Sequence, residues 1–448
     1  MADLHDLSAA EAARRIREGS VSPVEVLAAC LKRIEAVDPI VQAWVRVDRG
    51  AAARAAEQCE AEVRSGRRVG ALHGVPVALK DIIDAAGLPT TAGAGPFAHR
   101  LPTADAASVA RLRAAGAIVL GKVTTTAFAF LDPSPTRNPW NPDHTPGGSS
   151  SGPAAAVAAR MVPMALGTQT VGSVLRPAAY CGVVGFKPSH GRISTAGVVP
   201  LAWSTDHVGI FARSVEDVAL ALGPLAGFDP ADPLSSDVLP DDYLAMVNRP
   251  VPPRVGVLRS LVERASPETA AHVGAIAGGL RAAGALVSDV ELPRSYARIH
   301  QVGNTVVRAE AAAYHAPLFA RHAAEYPPKV REALLEGRGI SAVDYLTAQR
   351  ERRLFREEMT PIAARYDALV LPTAAGPAPK GHDSTGDPYF CAPWSFSGLP
   401  SIALPTGVDA AGLPLSVQLV GGPFAEARLL AAAAWCEKVI GFSATPAL

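Results

Sequence analysis

The sequence is most distinctive in the segment TPGGSSSGPAAAVAAR at residues 145–160 and the segment ALGTQTVGSVLRPAAYCGVVGFKPSHGRIS at residues 165–194. Both combine glycine and serine runs with alanine-rich or apolar stretches. Glycine and serine loops let several backbone N–H groups turn towards one point, as is needed to hold an anion or an oxyanion. Alone, such loops are equally typical of a flexible linker. The adjoining helical and apolar stretches favour loops anchored in a core, where an unpaired N–H group is costly.

Short apolar runs alternate with helical segments along the rest of the chain. Helical patterns cover residues 105–115 and 268–283, and the second ends at a glycine before a strand-like stretch. Runs typical of buried strands are VPVAL at 75–79, AIVL at 117–120, VGVL at 255–258 and DALVLPTA at 367–374. This alternation predicts an α/β fold with a central sheet covered by helices.

We expect one domain over residues 1–448, with two helical additions. Residues 1–70 are predicted to form helices that pack on the body, because Ser8 with Glu11 and Ser22 with Glu25 match the capping box. In the second of these helices, Leu27, Leu31 and Ile34 recur on one face. Residues 295–360, rich in Ala, Arg, Glu and Tyr, are predicted to form a helical insertion that shapes the substrate pocket.

Composition and charge narrow the function classes. The 448 residues are 49% hydrophobic, and 42 basic residues balance 42 acidic ones. A chain with no net charge has no global field that favours nucleic acid or an anionic membrane, so we expect a small-molecule partner, with a homodimer left open. The N-terminus lacks the basic start and apolar run of a signal peptide, and this predicts a soluble cytoplasmic protein.

No metal or other cofactor is expected from the sequence. The 11 histidines include no HExxH pattern, which a common type of zinc site requires. Five cysteines lie apart without CxxC spacing, so neither a thiolate metal site nor a disulfide framework is predicted.

The motifs resemble those of the amidase signature family. The matching segments are HGVPVALKDIIDAAGLPTTAG around Lys80, TPGGSSSG around Ser149 and GTQTVGSVLRPAAYCGVVGFKP around Ser173. Further matching segments start at Thr136, Ser204, Pro393 and Gly412, so the resemblance covers nearly the whole chain. It implies the amidase signature fold, with a mixed twisted sheet that helices cover on both faces.

The resemblance implies a catalytic triad of Lys80, Ser149 and Ser173. Ser173 would be the nucleophile, Ser149 a proton relay on a cis peptide after Gly148, and Lys80 the base. An amide is a poor electrophile and a serine hydroxyl a poor nucleophile, so a base is needed, and no GxSxG elbow surrounds either serine. Burial at the end of VPVAL would lower the pKa of Lys80. Taken alone, Lys80 would better fit a surface lysine or a partner of Asp81 or Asp84.

The resemblance to the family also implies an oxyanion site made by backbone N–H groups of Thr170, Val171, Gly172 and Ser173. Val171 stands where the family usually has glycine, and a β-branched residue disfavours positive φ and narrows the approach to a carbonyl. Gln169 likewise stands where many relatives carry aspartate.

Candidate substrate-binding residues are Arg176, Ser150 and Trp394. Arg176 lies three residues after the nucleophile and would suit a substrate carboxylate, although an ion pair or a bond to loop carbonyls is the better interpretation.

Three functions follow from these residues. The first is hydrolysis of a carboxylic amide, or of a related carbamate or ester, through an acyl-enzyme. The second is the glutaminase A subunit of a tRNA-dependent amidotransferase, which works with partner chains. The third is a catalytically weak binding protein of the same fold, suggested by Val171.

Overall fold

The structure, a computed structural model that describes residues 3–67 and 69–448, has one 11-stranded sheet at its centre. The strands in chain order are β1 (Trp44–Val47), β2 (Pro76–Lys80), β3 (Ile118–Val123), β4 (Met164–Gln169), β5 (Val184–Lys187), β6 (His207–Ala212), β7 (Arg254–Val257), β8 (Leu286–Asp289), β9 (Ala368–Pro372), β10 (Ser401–Val408) and β11 (Pro414–Val420). Their order across the sheet is β1-β3-β2-β4-β6-β5-β10-β11-β9-β7-β8.

The sheet is mixed. Strand β2 pairs in parallel with β3 and β4, and β7 pairs in parallel with β8 and β9. The remaining neighbours are antiparallel, including β4 with β6 and β10 with β11. The predicted strands at 75–79, 117–120, 255–258 and 367–374 correspond to β2, β3, β7 and β9. The predicted α/β class with a mixed sheet is therefore confirmed.

Helices surround the sheet and connect its strands. They are α1 (Ala9–Arg17), α2 (Pro23–Val41), α3 (Arg49–Arg64), α4 (Ala107–Ala114), α5 (Ser151–Ala158), α6 (Leu175–Cys181), α7 (Val215–Leu225), α8 (Tyr243–Val247), α9 (Arg259–Val262), α10 (Pro267–Ala282), α11 (Ile299–His322), α12 (Pro328–Arg338), α13 (Ala342–Ala364), α14 (Ala392–Ser397) and α15 (Glu426–Ile440). Within the described ranges, no helix is both long enough and apolar enough to cross a membrane.

The central strands are buried on both faces. In β2, Val77 and Leu79 belong to one apolar cluster, while Ala78 between them belongs to another. Successive side chains of a strand point to opposite faces of the sheet, so the two clusters are the two layers of the core. Helices α1, α7 and α15 contribute to the first cluster, and α2, α3 and α5 to the second.

The N-terminal region is helical as predicted, with one exception. Ser22 and Glu25 form a full capping box at α2, whereas at α1 the Ser8 hydroxyl accepts the Glu11 N–H and the Glu11 carboxylate binds arginines. Leu27 and Ile34 are buried on the sheet. The exception is β1, which pairs with β3 at the sheet edge and was not anticipated because its four residues, WVRV, are too few for a clear period.

The predicted insertion at 295–360 corresponds to α11, α12 and α13, which end at Ala364. Helix α11 packs against both α12 and α13, and α11 and α13 also contact α14. Helices α11 and α12 also line the cavity that Ser173 borders.

Candidate active site

Lys80 is the last residue of β2 and is completely buried. Strands β2 and β4 run in parallel, with Leu79 opposite Leu166, so their carboxyl ends meet at one edge of the sheet. There Lys80 Nζ donates to Ser149 Oγ and to Thr168 Oγ1, each at 2.7 Å. Neither Asp81 nor Asp84 forms an ion pair with it among the described contacts, and Asp81 faces Lys122 instead.

The pKa of Lys80 is lowered well below its ordinary value because burial removes the solvation of the ammonium form. The Asp206 carboxylate opposes this shift but does not reverse it. Burial also raises the pKa of Asp206 to about 6. The neutral amine that a base requires is therefore more accessible at Lys80 than at an exposed lysine.

Ser149 lies in the loop before α5, and the peptide from Gly148 to Ser149 is cis, as the family resemblance implied. Its hydroxyl is the only side-chain oxygen besides that of Thr168 that Lys80 Nζ contacts within the described chain. The hydroxyls of the next two serines stabilise this loop. Ser150 Oγ donates to the Thr168 carbonyl, and Ser151 Oγ donates to the Gly147 carbonyl.

Ser173 lies just before α6 and borders a cavity of about 360 Å³. The Ser150 N–H donates to the Ser173 carbonyl at 3.4 Å, which places the two serine loops side by side. Over residues 3–67 and 69–448, no hydrogen bond joins Ser149 Oγ to Ser173 Oγ, and catalytic contacts of this kind often tighten only when substrate is bound.

The cavity is lined by both apolar and charged residues. Helices α11 and α12 contribute to it, so part of the predicted insertion borders the cavity. Its lining residues are Ala129, Phe130, Leu131, Thr170, Val171, Gly172, Ser173, Arg176, Leu201, Asn304, Val307, Arg308, Lys329, Glu332, Ala333, Glu336, Ser384, Thr385, Gly386 and Pro388.

All four residues of the loop 170–173 line this cavity. In the part of the chain that the structure describes, no acceptor takes a hydrogen bond from the N–H groups of these four residues. Val171 is not among the described residues with positive φ, so its β-branched side chain does not conflict with the backbone conformation there. A side chain at Gly172 would meet Pro388 Cβ at 2.9 Å, so glycine is required there for packing.

Arg176 contacts the loop that carries Ser149. Its Nη2 donates to the Gly148 carbonyl at 2.7 Å and to Thr385 Oγ1 at 2.9 Å. A bond to a loop carbonyl is one of the two structural roles that the sequence favoured over binding of a substrate carboxylate. The pKa of Arg176 is lowered by burial, and its buried Nε lacks a partner among the described residues.

Two predicted substrate-binding residues do not reach the cavity, and these expectations are corrected. Trp394 is fully buried in α14, and its indole N–H donates to the Phe390 carbonyl. Its apolar ring is used for core packing. Ser150 is also fully buried, with its hydroxyl bonded to both the carbonyl and the N–H of Thr168.

Sequence reasoning missed two polar residues at the site. Thr168 contacts Lys80, and parallel pairing of the strands before Lys80 and Thr168 would have predicted that contact. Asp206 accepts hydrogen bonds from Thr170 Oγ1 at 2.6 Å and from the N–H groups of Leu201 and Ala202. No local pattern marks an aspartate that is bound to a loop 36 residues earlier.

A buried lysine that contacts a serine, beside a second serine at a cavity with free N–H donors, defines the class of serine hydrolases that use lysine as base. The sequence model of the family described as Amidase matches residues 25–430. The chain therefore belongs to the amidase signature family.

Individual relatives match the chain over almost its full length. An amidase from Pseudomonas putida is 40% identical, over 98% of this chain and 97% of its own. An A subunit of glutamyl-tRNA(Gln) amidotransferase, from Carboxydothermus hydrogenoformans, is 34% identical, over 96% of both chains. The solved structure of a 6-aminohexanoate cyclic dimer hydrolase is 28% identical with a TM-score of 0.90, covering 100% of this chain and 99% of that one.

Proposed function

We propose that this chain hydrolyses a small carboxylic amide through an acyl-enzyme on Ser173, with Ser149 as relay and Lys80 as base. The observation that carries the proposal is the 2.7 Å contact between fully buried Lys80 and Ser149. The Ser149 loop is joined to the loop of Ser173, which borders the cavity, by the bond from the Ser150 N–H to the Ser173 carbonyl.

In the proposed first step, neutral Lys80 accepts the proton of Ser149, and Ser149 accepts the proton of Ser173. Ser173 Oγ forms a bond to the carbonyl carbon, and the negative charge that develops on the carbonyl oxygen is stabilised by the N–H groups of residues 170–173. The proton then returns along the relay to the leaving nitrogen as the C–N bond breaks. Water attacks the acyl-enzyme through the same relay, which releases the acid and restores Ser173.

The size and lining of the cavity support a compact substrate. A volume of about 360 Å³ is at the lower end of the range for small-molecule sites. Apolar Phe130, Val171 and Val307 suit an uncharged acyl group near Ser173. Carbamates and esters have the same carbonyl geometry and are included in the proposal.

The second candidate is a glutaminase component of an amidotransferase, which several relatives named as A subunits of glutamyl-tRNA(Gln) amidotransferase favour. Turnover of glutamine in preference to simple amides, anilides, carbamates and esters would favour this candidate. A panel of these substrates therefore distinguishes the two functions.

The proposal is tested by labelling the protein with a fluorophosphonate probe and mapping the adduct. We expect labelling of Ser173 in the unaltered protein and none in Ser173→Ala. Ser108→Ala, which removes another buried hydroxyl, is the matched control and should label normally. Lys80→Ala should lower turnover by at least about a hundredfold, the usual contribution of a general base. An adduct on another residue, or full activity in Lys80→Ala, would overturn the assignment.

A further inference from the structure

A chain of hydrogen bonds that starts at Gln169 holds the loop 170–173 in place. Each donor and acceptor in this chain can be assigned. Gln169 is the last residue of β4 and is fully buried. Its Oε1 accepts the N–H groups of Val174 at 2.8 Å and Leu175 at 3.0 Å. Since backbone N–H groups can only donate, the carbonyl end of the Gln169 amide must face them, and the Nε2 end must face the other way.

Ser395 occupies the position that Nε2 faces. Gln169 Nε2 donates to Ser395 Oγ at 2.8 Å, although the two residues are 226 positions apart in the chain. Ser395 Oγ donates in turn to the Val171 carbonyl at 2.9 Å. Because the amide already donates to the hydroxyl oxygen, the single hydroxyl proton is left for Val171.

The bond to the Val171 carbonyl also sets the direction of the next N–H group. In a trans peptide the carbonyl and the following N–H point in opposite directions. The Val171–Gly172 peptide is not cis, so a carbonyl drawn towards buried Ser395 directs the Gly172 N–H away from Ser395. If this peptide plane flipped, a carbonyl oxygen would stand where an N–H donor is needed.

We infer that Gln169 and Ser395 are positioning residues that hold the Val171–Gly172 peptide in the orientation that stabilises the oxyanion. This inference rests on the proposed acyl-enzyme function, and it assigns a role to the glutamine that stands in place of the aspartate of many relatives. An ionised carboxylate at this position can only accept, so it would take the Ser395 proton away from Val171.

The first test is Ser395→Ala, with Ser397→Ala as the matched control on the same helix. The Ser397 hydroxyl donates to carbonyls of its own helix and does not contact the loop. We expect kcat to fall by about tenfold to a hundredfold in Ser395→Ala with little change in KM, because an oxyanion donor acts mainly in the transition state. Ser397→Ala should keep the unaltered kcat. Equal kcat values in the two variants would overturn the inference.

The second test is Gln169→Glu, read as a pH profile. When ionised, the new carboxylate accepts the Ser395 proton and releases the Val171 carbonyl. When protonated, its O–H donates to Ser395 as the amide did. Burial favours the neutral carboxyl, so the ratio of variant to unaltered kcat should rise as pH falls. A ratio well below one that does not rise as pH falls would contradict the inference.

A double variant checks that the two residues act together. If the hydrogen bonds form one chain, Gln169→Glu should add little to the loss already caused by Ser395→Ala. Independent, multiplying losses would overturn the coupled arrangement. Failure of the proposed function is recognised separately, because then the unaltered protein would neither label at Ser173 nor turn over any substrate of the panel.

Discussion

Val171 lines the cavity close to Ser173. We expect its side chain to set the width of the cavity there. It is partly exposed in the cavity wall and also packs against the core. Its φ is not positive, so the β-branched side chain does not strain the loop that carries it. We therefore expect valine to change the shape of the cavity beside Ser173 and not the backbone conformation of the loop.

Replacing Val171 by glycine should widen the acceptance of acyl groups. We expect the ratio of kcat/KM for bulky over small acyl anilides to increase, because removing the isopropyl group enlarges the wall beside Ser173. Stability should decrease by roughly 0.5 to 1 kcal/mol from the greater freedom of the unfolded chain. An unchanged ratio would mean that Val171 does not border the bound acyl group, and a large gain on every substrate would mean that the natural loop is impaired.

At the scale of elements, α12 is anchored to the cavity-lining loop that precedes Asp132. The Asp132 carboxylate accepts the N–H of Val330 at 2.8 Å and that of Lys329 at 3.4 Å. These N–H groups belong to the first turn of the helix and have no acceptor within the helix itself. The same helix contributes Glu332 and Ala333 to the cavity. A cap supplied from another segment therefore couples the position of α12 to the site.

Asp132→Ala should weaken substrate binding as well as stability. Loss of a capping carboxylate typically costs about 0.5 to 2 kcal/mol, and a shifted α12 should raise KM. Ser341→Ala removes the side-chain cap of α13, where Ser341 Oγ accepts the Asp344 N–H, and is the matched control because α13 does not line the cavity. Both variants should melt earlier, but only Asp132→Ala should raise KM. An equal KM in the two variants would refute the coupling.

At the scale of the whole molecule, the partly buried carboxyl group of Glu437 makes stability depend on pH. Glu437 on α15 accepts the Val215 N–H at the start of α7, joining parts of the chain 222 residues apart. Burial raises the pKa of Glu437 to about 7. The folded state thus binds more protons than the unfolded state between the unfolded and folded pKa values, and this group lowers stability as pH rises through that window.

Glu437→Gln should accordingly stabilise the protein more at pH 8 than at pH 5. At pH 8 the unaltered protein buries a charge that glutamine avoids, whereas at pH 5 the carboxyl is protonated in the folded state. The measurement is the difference in melting temperature between variant and unaltered protein at the two pH values, with exposed Glu57→Gln as control. A difference that is the same at both pH values for Glu437→Gln would contradict the prediction.

Much of the fold follows from local sequence. Apolar runs located β2, β3, β7 and β9, and capping residues located the start of α2, because strand and helix signals depend on neighbours within a few residues. Strand β1 was missed because four residues do not show a period, and its pairing with β3 lies outside any local pattern. The resemblance to the family motifs pointed to Lys80, Ser149 and Ser173, and the structure brings Lys80 and Ser149 into contact.

Only the tertiary structure decided which side chains face the cavity. Trp394 and its neighbour Ser395 stand in the same motif, yet the ring packs in the core and the hydroxyl supports the loop before Ser173. Likewise, the hydrogen bonds of Gln169 to Ser395 and of Asp206 to Thr170 join segments that are distant in sequence. A sequence determines which groups can donate and accept, but partners hundreds of residues away are chosen by the packing of the sheet and its helices.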